Sequence, residues 1–316
     1  MLQLSALIPV NAIAVAAGVV LAGAGALPAQ AGPQQMPHRI AHMEAEAAGA
    51  MLHRVSDEAH SRADLAAALL EALDFPEIAA ILSAEGQRNA AELDSDMLGT
   101  RGGAGWARAI ARIYDPARME ARFASHFAEA LPSDPELAEL ALDFFQSERG
   151  QRFVTLENAA RRAMLDDDVD EAARAHAAEM VAEEDPRLAL IREMIEVNDF
   201  VESNVAGGLN SNFAFFLGLR DSGAPNFDLS DGDILAQVWS QEEVIREDVE
   251  EWLLAYLSLA YRPMEDDDLR AYVAFSETPQ GRAMNRALFS AFDTLFNDIS
   301  RDLGREAGRV LGQQDL

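Results

Sequence analysis

Histidine and carboxylate side chains near the N-terminus are the first residues whose types could carry chemistry. His38 and His42 are four residues apart and Glu44 follows them. On a helix this spacing can hold zinc, with Glu44 as a third ligand. No glutamate is placed as in the zinc-protease motif, and the group follows an uncharged N-terminal segment, residues 1–31. We therefore interpret these residues as part of a linker and predict no metal site.

Two acidic runs offer a second kind of chemistry, calcium binding. They are "LDDDVDE" at 165–171 and "MEDDDL" at 264–269. Neither has the alternating acids, the glycine at position six and the glutamate at position twelve of an EF-hand loop. We predict instead that these acids lie at helix N-termini, where negative charge is stabilised by the helix dipole.

Nucleophilic and phosphate-binding motifs are missing from the sequence. The chain has no Cys, no Lys and no Gly-x-Ser-x-Gly. Thiol chemistry, disulfides and a Ser-x-x-Lys pair are therefore excluded. "GTRGGAG" at 99–105 lacks a phosphate-loop lysine and a preceding strand, and we interpret it as a mobile connection. We nominate no catalytic, cofactor-binding or metal-binding residue and no cofactor, and we predict that the protein is not an enzyme.

One short motif stands twice in the chain. It reads "DFFQSERGQRFV" at 143–154 and "AFSETPQGRAMN" at 274–285. Each copy has Phe, a hydroxyl residue three positions later and Gly after three more. The two copies are 131 residues apart.

The hydroxyl and the glycine predict how each copy folds. A helix ending near Phe144 or Phe275 is followed by a new helix, capped by Ser147 or Thr278. Glycine then occupies the third helical position, where the missing side chain allows close approach. One interpretation is an anion site at the helix N-terminus, and the other is a tight corner between two helices. Without a lysine or a glycine-rich loop, we favour the corner.

A second pair of similar segments extends the repeat. "LEALDFPE" at 70–77 resembles "IEVNDFVE" at 195–202, with an offset of 125. The difference of six from the first offset predicts an insertion within 220–233. We therefore predict an all-α protein with two pseudo-repeated helical lobes packed together. The predicted units are a signal peptide at 1–31, a poorly ordered linker at 32–61, helical repeats at 62–185 and 186–310, and a tail at 311–316.

The repeated motif, together with "MEDDDLRAYVAF" at 264–275, resembles the signature of the bacterial domain-of-unknown-function 2059 family. The resemblance covers both copies, most clearly 240–305. It implies an exported, helical protein whose biochemical role is unassigned. It transfers no catalytic residue, because the family offers none.

Two further helices follow from the hydrophobic pattern. "SQEEVIREDVEEWLLAYLSLAY" at 240–261 has Ser240 and Glu243 at capping-box spacing. Its apolar stripe comprises Val244, Val249, Trp252, Leu253 and Tyr256.

The other helix, "SNVAGGLNSNFAFFLGL" at 203–219, has no charged residue. We predict that it lies at the centre of the fold, because a helix without a charged face is usually buried all round. Gly207 and Gly208 would allow close helix contact. The amides of Asn204 and Asn212 would need hydrogen-bond partners, either within the core or on a ligand in a pocket.

The N-terminus predicts export. Residues 1–31 carry no charge, contain the apolar run "IAVAAGVVLAGAGAL" and end in Ala-Gln-Ala. We predict cleavage after Ala31 and a periplasmic or secreted protein. The n-region lacks Lys and Arg, so the alternative is an uncleaved N-terminal membrane anchor.

Charge narrows the class of partner. The formal net charge is −29, with 25 Lys+Arg against 54 Asp+Glu. Such a surface repels nucleic acid and anionic membranes, so we predict binding to neither. The leading hypothesis is non-catalytic binding of an unknown protein partner at the cell envelope. The alternative is a carrier or an enzyme with a small-molecule pocket between the helical lobes.

Overall fold

The computed structural model describes residues 61–224 and 227–313, and within those ranges it contains thirteen helices and no strand. The prediction of an all-α protein is therefore confirmed for the described residues. The predicted signal peptide and most of the linker lie outside them. The helices are α1 (61–72), α2 (Phe75–Asp96), α3 (Gly103–Ile113), α4 (Pro116–Ala130), α5 (Pro135–Gln146), α6 (Glu148–Ala163), α7 (Asp167–Ala182), α8 (Pro186–Val197), α9 (Phe200–Asp221), α10 (Asp231–Trp239), α11 (Glu242–Tyr261), α12 (Asp266–Glu277) and α13 (Pro279–Gly312).

Aspartate followed by proline starts several of these helices. The Asp115 side chain accepts a hydrogen bond from the Arg118 N–H at 2.9 Å, and Pro116 is the first residue of α4. Asp134 and Asp185 cap α5 and α8, each accepting from the N–H two residues on and followed by proline. A side-chain oxygen satisfies one of the free N–H groups, and proline needs none, so this pair fixes where a helix begins.

The acidic runs also lie at helix starts, as predicted. Asp166 caps α7, with its side chain accepting from the Asp168 N–H at 3.0 Å. Asp266, Asp267 and Asp268 occupy the first turn of α12. The glycine-rich stretch at 99–105 differs from the prediction, because its last three residues begin α3 instead of belonging to a connection.

The hydrophobic core is continuous from Ala66 in α1 to Ala307 in α13. The 34-residue α13 packs most extensively against α9 and also contacts α3, α4 and α5. The second-half helix α11 likewise packs against α6 and α7 of the first half. The two halves of the chain therefore share one core, because each contributes a helix to the packing of the other.

Helix lengths correspond between the two halves of the described chain. α2 and α9 both have 22 residues, and each follows an aspartate with left-handed backbone angles, Asp74 (φ 50) and Asp199 (φ 53). α5 and α12 both have 12 residues. The helices that follow α5 and α12 differ in length, because α6 ends at Ala163 whereas α13 continues without a break to Gly312.

The uncharged segment at 203–219 lies within α9 and is central, as predicted. Only Ala206 and Asn210 in it are exposed. The Asn204 side-chain amide donates to the Phe200 carbonyl at 2.7 Å, and that of Asn212 donates to Gln241 Oε1 at 2.9 Å. These protein partners support the core role of the two amides over the ligand-binding one.

Gly207, one of the two glycines predicted to permit close packing of α9, does not do so. A Cβ added at Gly207 would meet nothing within 4 Å. A Cβ at Gly218 would overlap the Arg301 carbonyl, and one at Gly304 would overlap the Phe215 carbonyl. The close crossing of α9 and α13 is therefore made near the C-terminal end of α9.

Candidate functional site

The repeated motif forms a helix corner in both copies. The hydroxyl of Ser147 donates to the Phe144 carbonyl at 2.6 Å and accepts from the Gly150 N–H at 3.1 Å. Thr278 makes the same two bonds, with the same lengths, to Phe275 and Gly281. The predicted caps are confirmed, although the preceding helices run two residues further, to Gln146 and Glu277.

The glycines of the two corners are required by contact with backbone. A Cβ at Gly150 would overlap the Phe144 carbonyl oxygen, and one at Gly281 would overlap that of Phe275. The N–H of each glycine is already donated to the capping hydroxyl. The space and the donor that an anion would need are therefore taken, which favours the tight corner over the anion site.

The two corners meet each other. The rings of Phe144 and Phe275 stack with centroids 3.8 Å apart and an interplanar angle of 6°. Tyr272 stacks against Phe144 at 5.6 Å, and Phe145 meets Phe275 edge to face at 5.6 Å. The motif phenylalanines thus fill the contact between the halves at this point with aromatic side chains.

A buried ion pair links α2 to α6. Arg161 Nε donates to Glu85 Oε1 at 3.1 Å and Arg161 NH2 donates to Glu85 Oε2 at 2.9 Å, with the arginine side chain 1% exposed. The guanidinium also lies 5.5 Å from the centroid of the Trp252 ring on α11. A two-point bond between planar groups fixes the relative position of the two helices.

A buried carboxylate on the same face of α6 faces α11. Tyr261 Oη donates to Glu157 Oε1 at 2.8 Å, and Tyr256 Oη donates to the Glu157 carbonyl at 3.2 Å. Burial raises the pKa of Glu157 to about 7, although the Tyr261 hydrogen bond opposes this. Burial and the neighbouring Glu157 raise the pKa of Tyr261 well above its ordinary value.

Glu157 thus has the pKa of a proton-transfer group but not the exposure of one. Its side chain is completely buried between α6 and α11. A general acid or base must reach the reacting proton within hydrogen-bond distance, directly or through one water. We interpret the Glu157–Tyr261 pair as a contact that positions helices.

Sequence reasoning did not find Glu85, Glu157 or Arg161. Phe153, Glu157 and Arg161 follow one another at intervals of four along α6. On a helix this spacing puts the two charged residues in line with a core phenylalanine. Charged residues that fall on the apolar stripe of a helix indicate a buried polar cluster, and this pattern is visible in the sequence.

The histidines and acids of the described residues form no close group of three or more that could hold a metal ion. His38, His42 and Glu44 lie outside those residues. His126 Nε2 lies 3.7 Å from Asp298 Oδ2, and His176 Nδ1 lies 3.9 Å from Glu179 Oε2.

Exposed apolar side chains are concentrated in α10 and the start of α11. In the described chain five large hydrophobic side chains are exposed, and three of them lie within 235–244: Leu235, Trp239 and Val244. Trp239 has the highest exposure of the five, at 60%. Leu235 and Trp239 are four residues apart on α10 and therefore lie on the same side of it. We call these three residues the α10 surface.

The local structure explains why these side chains point outward. α10 buries only Ile234 and Val238, and its main packing partner is α9. Its start is fixed by a capping box between Ser230 and Asp233. The predicted capping box between Ser240 and Glu243 is wrong, because Gln241 precedes α11 and the Ser240 hydroxyl donates to the Gln237 carbonyl.

The predicted apolar stripe of α11 is confirmed at four of its five residues: Val249, Trp252, Leu253 and Tyr256 are buried. Val244 is 46% exposed, because α11 only enters the core at Ile245. The correction at Val244 adds an apolar residue to the protein surface.

A known protein family matches part of the first half of the chain. Residues 117–179 match DUF2059. This family is described as an uncharacterized protein conserved in bacteria. The matched stretch runs from the start of α4 into α7 and includes the Ser147 corner.

The predicted resemblance to this family is supported, but not its predicted extent. One copy is matched and it lies in the first half, whereas the resemblance was expected in two copies and most clearly over 240–305. No curated protein matches the chain, and no solved structure does. None of the helices in the described ranges is both long and apolar enough to cross a bilayer.

Proposed function

We propose that this protein is exported and binds a protein partner at the cell envelope without catalysis. The observation that carries the proposal is the α10 surface, and above all the 60% exposure of Trp239. Tryptophan on a protein surface is enriched where another protein binds, since its ring contributes a large contact area. The fold gains little from this side chain, because α10 is held by Ile234 and Val238.

The partner-binding proposal can be tested by site-specific crosslinking in the cell. A photo-crosslinking amino acid at position 239 should join the protein to one discrete partner in the envelope fraction. The same residue at position 140 is the matched control, because Leu140 is also an exposed apolar residue, on α5. Identical patterns at both positions, or no crosslink at either, would reject the α10 surface as the binding site.

Export rests on residues 1–31, with cleavage after Ala31. N-terminal sequencing of protein recovered from the periplasm should begin at Gly32. Intact Met1 in the membrane fraction would support the alternative, an N-terminal anchor. Intact Met1 in the cytoplasm would contradict export in either form.

We also propose that the two halves arose by duplication of one helical unit, with the boundaries 62–185 and 186–310. Support comes from the equal lengths of α2 and α9 and from the identical bonding of the two corners. An experimental structure in which 62–165 and 187–300 superpose in the same helix order is the expected result. Different connectivity would make the sequence repeat accidental.

A small-molecule pocket between the halves, the alternative for a carrier or an enzyme, has less support. Phe144 and Phe275 stack where the corners meet, and Glu157 is enclosed by the core. A Glu157→Gln variant that crosslinks normally at position 239 would agree with partner binding. Loss of the crosslink in a variant that is still folded would favour a role for the buried carboxylate instead.

A further inference from the structure

The surroundings of the α10 surface are acidic. Residues 231–248 contain six acids, Asp231, Asp233, Glu242, Glu243, Glu247 and Asp248, against one arginine. That arginine, Arg246, is bound by Glu202 and Glu242. Asp231 is paired with Arg220. Glu243 and Glu247, by contrast, make no ion pair with any described residue. The apolar side chains therefore lie next to uncompensated negative charge.

The spacing of these residues places charge beside the apolar contact. Glu243 and Glu247 are four residues apart on α11 and flank Val244. On α10, Asp231, Leu235 and Trp239 follow one another at intervals of four along one line of the helix surface. The neighbouring line holds Gly232, Ala236 and Ser240, which all have small side chains.

Charge argues against two possible occupants of this surface. A second copy of the chain would bring the same acids against one another, and each copy carries a formal charge of −29. The chain's own residues 32–60 contain four acids and two arginines, so they are also net negative. Like charges facing each other across an interface oppose binding.

We propose that the α10 surface binds a basic amphipathic segment of its partner. The apolar face of the segment packs on Leu235, Trp239 and Val244, while its Lys or Arg residues face Glu243 and Glu247. The exposed indole also attracts a cationic side chain through its ring face. This inference rests on the proposed function and adds the chemistry of the partner to it.

The probe is a synthetic helical peptide of about 18 residues, with Leu on one face and Lys and Arg on the other. A second peptide keeps the Leu face and replaces the basic residues by Glu. Binding to the purified protein is measured by calorimetry. Acrylamide quenching gives a second readout, because Trp106 and Trp252 are each 5% exposed and Trp239 is the accessible one of the three tryptophans.

We expect the basic peptide to bind and to shield Trp239 from acrylamide. Trp239→Ala should weaken its binding by at least about tenfold, since a central tryptophan commonly dominates an interface. The matched variant Leu140→Ala should leave binding unchanged. Glu243→Gln with Glu247→Gln should weaken binding and reduce its dependence on salt.

Three outcomes would overturn the inference. They are equal binding of the basic and acidic peptides, unchanged affinity in Trp239→Ala, and a dimer in solution that Trp239→Ala dissociates. Thermal melting of each variant, with a midpoint close to that of the original protein, shows that lost binding is not lost folding. A specific crosslink from position 239 without peptide binding would reject only the partner chemistry, whereas absence of that crosslink would reject the proposed function itself.

Discussion

The helices α3 and α10 each follow a 22-residue helix, and each carries a tryptophan. In α3, Trp106 is 5% exposed and its indole N–H donates to the Ala90 carbonyl at 3.2 Å. In α10, Trp239 is 60% exposed. The same residue type is part of the core in one half and part of the surface in the other, so residue type alone does not assign its role.

A second difference lies in the helices α6 and α13, which follow the two corners. At an offset of 131, Glu157 and Arg161 of α6 correspond to Leu288 and Phe292 of α13, and all four are buried. Phe292 packs against Phe123, with ring centroids 4.3 Å apart. The first half therefore has a charged interior where the second half has an apolar one. Burial of charge makes stability sensitive to pH and to loss of one partner, whereas apolar packing is insensitive to pH.

The largest expected effect separates the two tryptophans. Trp106→Ala should lower the free energy of unfolding by about 3–5 kcal/mol, because it empties a packed site and removes the hydrogen bond to the Ala90 carbonyl. Trp239→Ala should change it by less than about 0.5 kcal/mol. Urea denaturation followed by circular dichroism measures both. Similar losses in the two variants would contradict the contrast between α3 and α10.

Removing one partner of the buried ion pair is expected to lower the free energy of unfolding almost as strongly. Glu85→Ala leaves the Arg161 charge in the core without its carboxylate, at a cost of about 3–5 kcal/mol. Glu77, which pairs with the exposed neighbour Arg162, is the matched control, and Glu77→Ala should cost less than about 1 kcal/mol.

Replacing both partners of the buried pair sharpens this test. Glu85→Leu with Arg161→Met makes this part of α6 resemble the apolar α13 and should recover most of the stability lost in Glu85→Ala. Urea unfolding of the three variants decides the point. A double variant no more stable than the single one would show that the pair is needed for more than charge compensation.

Glu157, in the first half, should make the stability of the protein depend on pH. Its pKa in the folded protein is raised to about 7 from 4.5. The folded protein therefore holds this proton more tightly than the unfolded chain, so the contribution is full below about pH 4.5 and is lost as pH rises towards 7. The total loss is up to about 3 kcal/mol.

Glu157→Gln imitates the protonated acid and should abolish that loss. We expect the variant to be more stable than the original protein at pH 8 by up to about 3 kcal/mol, and the difference to shrink steadily towards pH 5. Urea midpoints across this pH range test it. A difference between the two proteins that does not change with pH would show that Glu157 is already ionised in the fold.

The smallest expected changes in stability come from substituting two glycines of α9. Gly218→Ala should destabilise by about 1–3 kcal/mol, because its Cβ would overlap the Arg301 carbonyl on α13. Gly207→Ala should stabilise by up to about 1 kcal/mol, since the site is open and alanine favours a helix. Thermal melts of the two variants should move in opposite directions, and a loss in both would place a close contact at Gly207 as well.

Features that depend on neighbouring residues in the chain could be predicted. The caps at Ser147 and Thr278 follow from a hydroxyl placed three residues before glycine, and both are present. Burial of 203–219 followed from the absence of charge along that segment. The capping box predicted at Ser240 was wrong because α10 continues to Trp239, so that the Ser240 hydroxyl bonds back to Gln237.

By itself the sequence determined the helical class, where many helices start and which long segment is central, because capping and hydrophobic periodicity act over a few residues. Only the tertiary structure decided that Arg161 meets Glu85, 76 residues away, and that Gly218, not Gly207, lies against another helix. It also decided that Trp106 is covered and Trp239 is not. These facts depend on which helices cross and at which turn, and such crossings are fixed by the packing of the whole core, not by any local pattern.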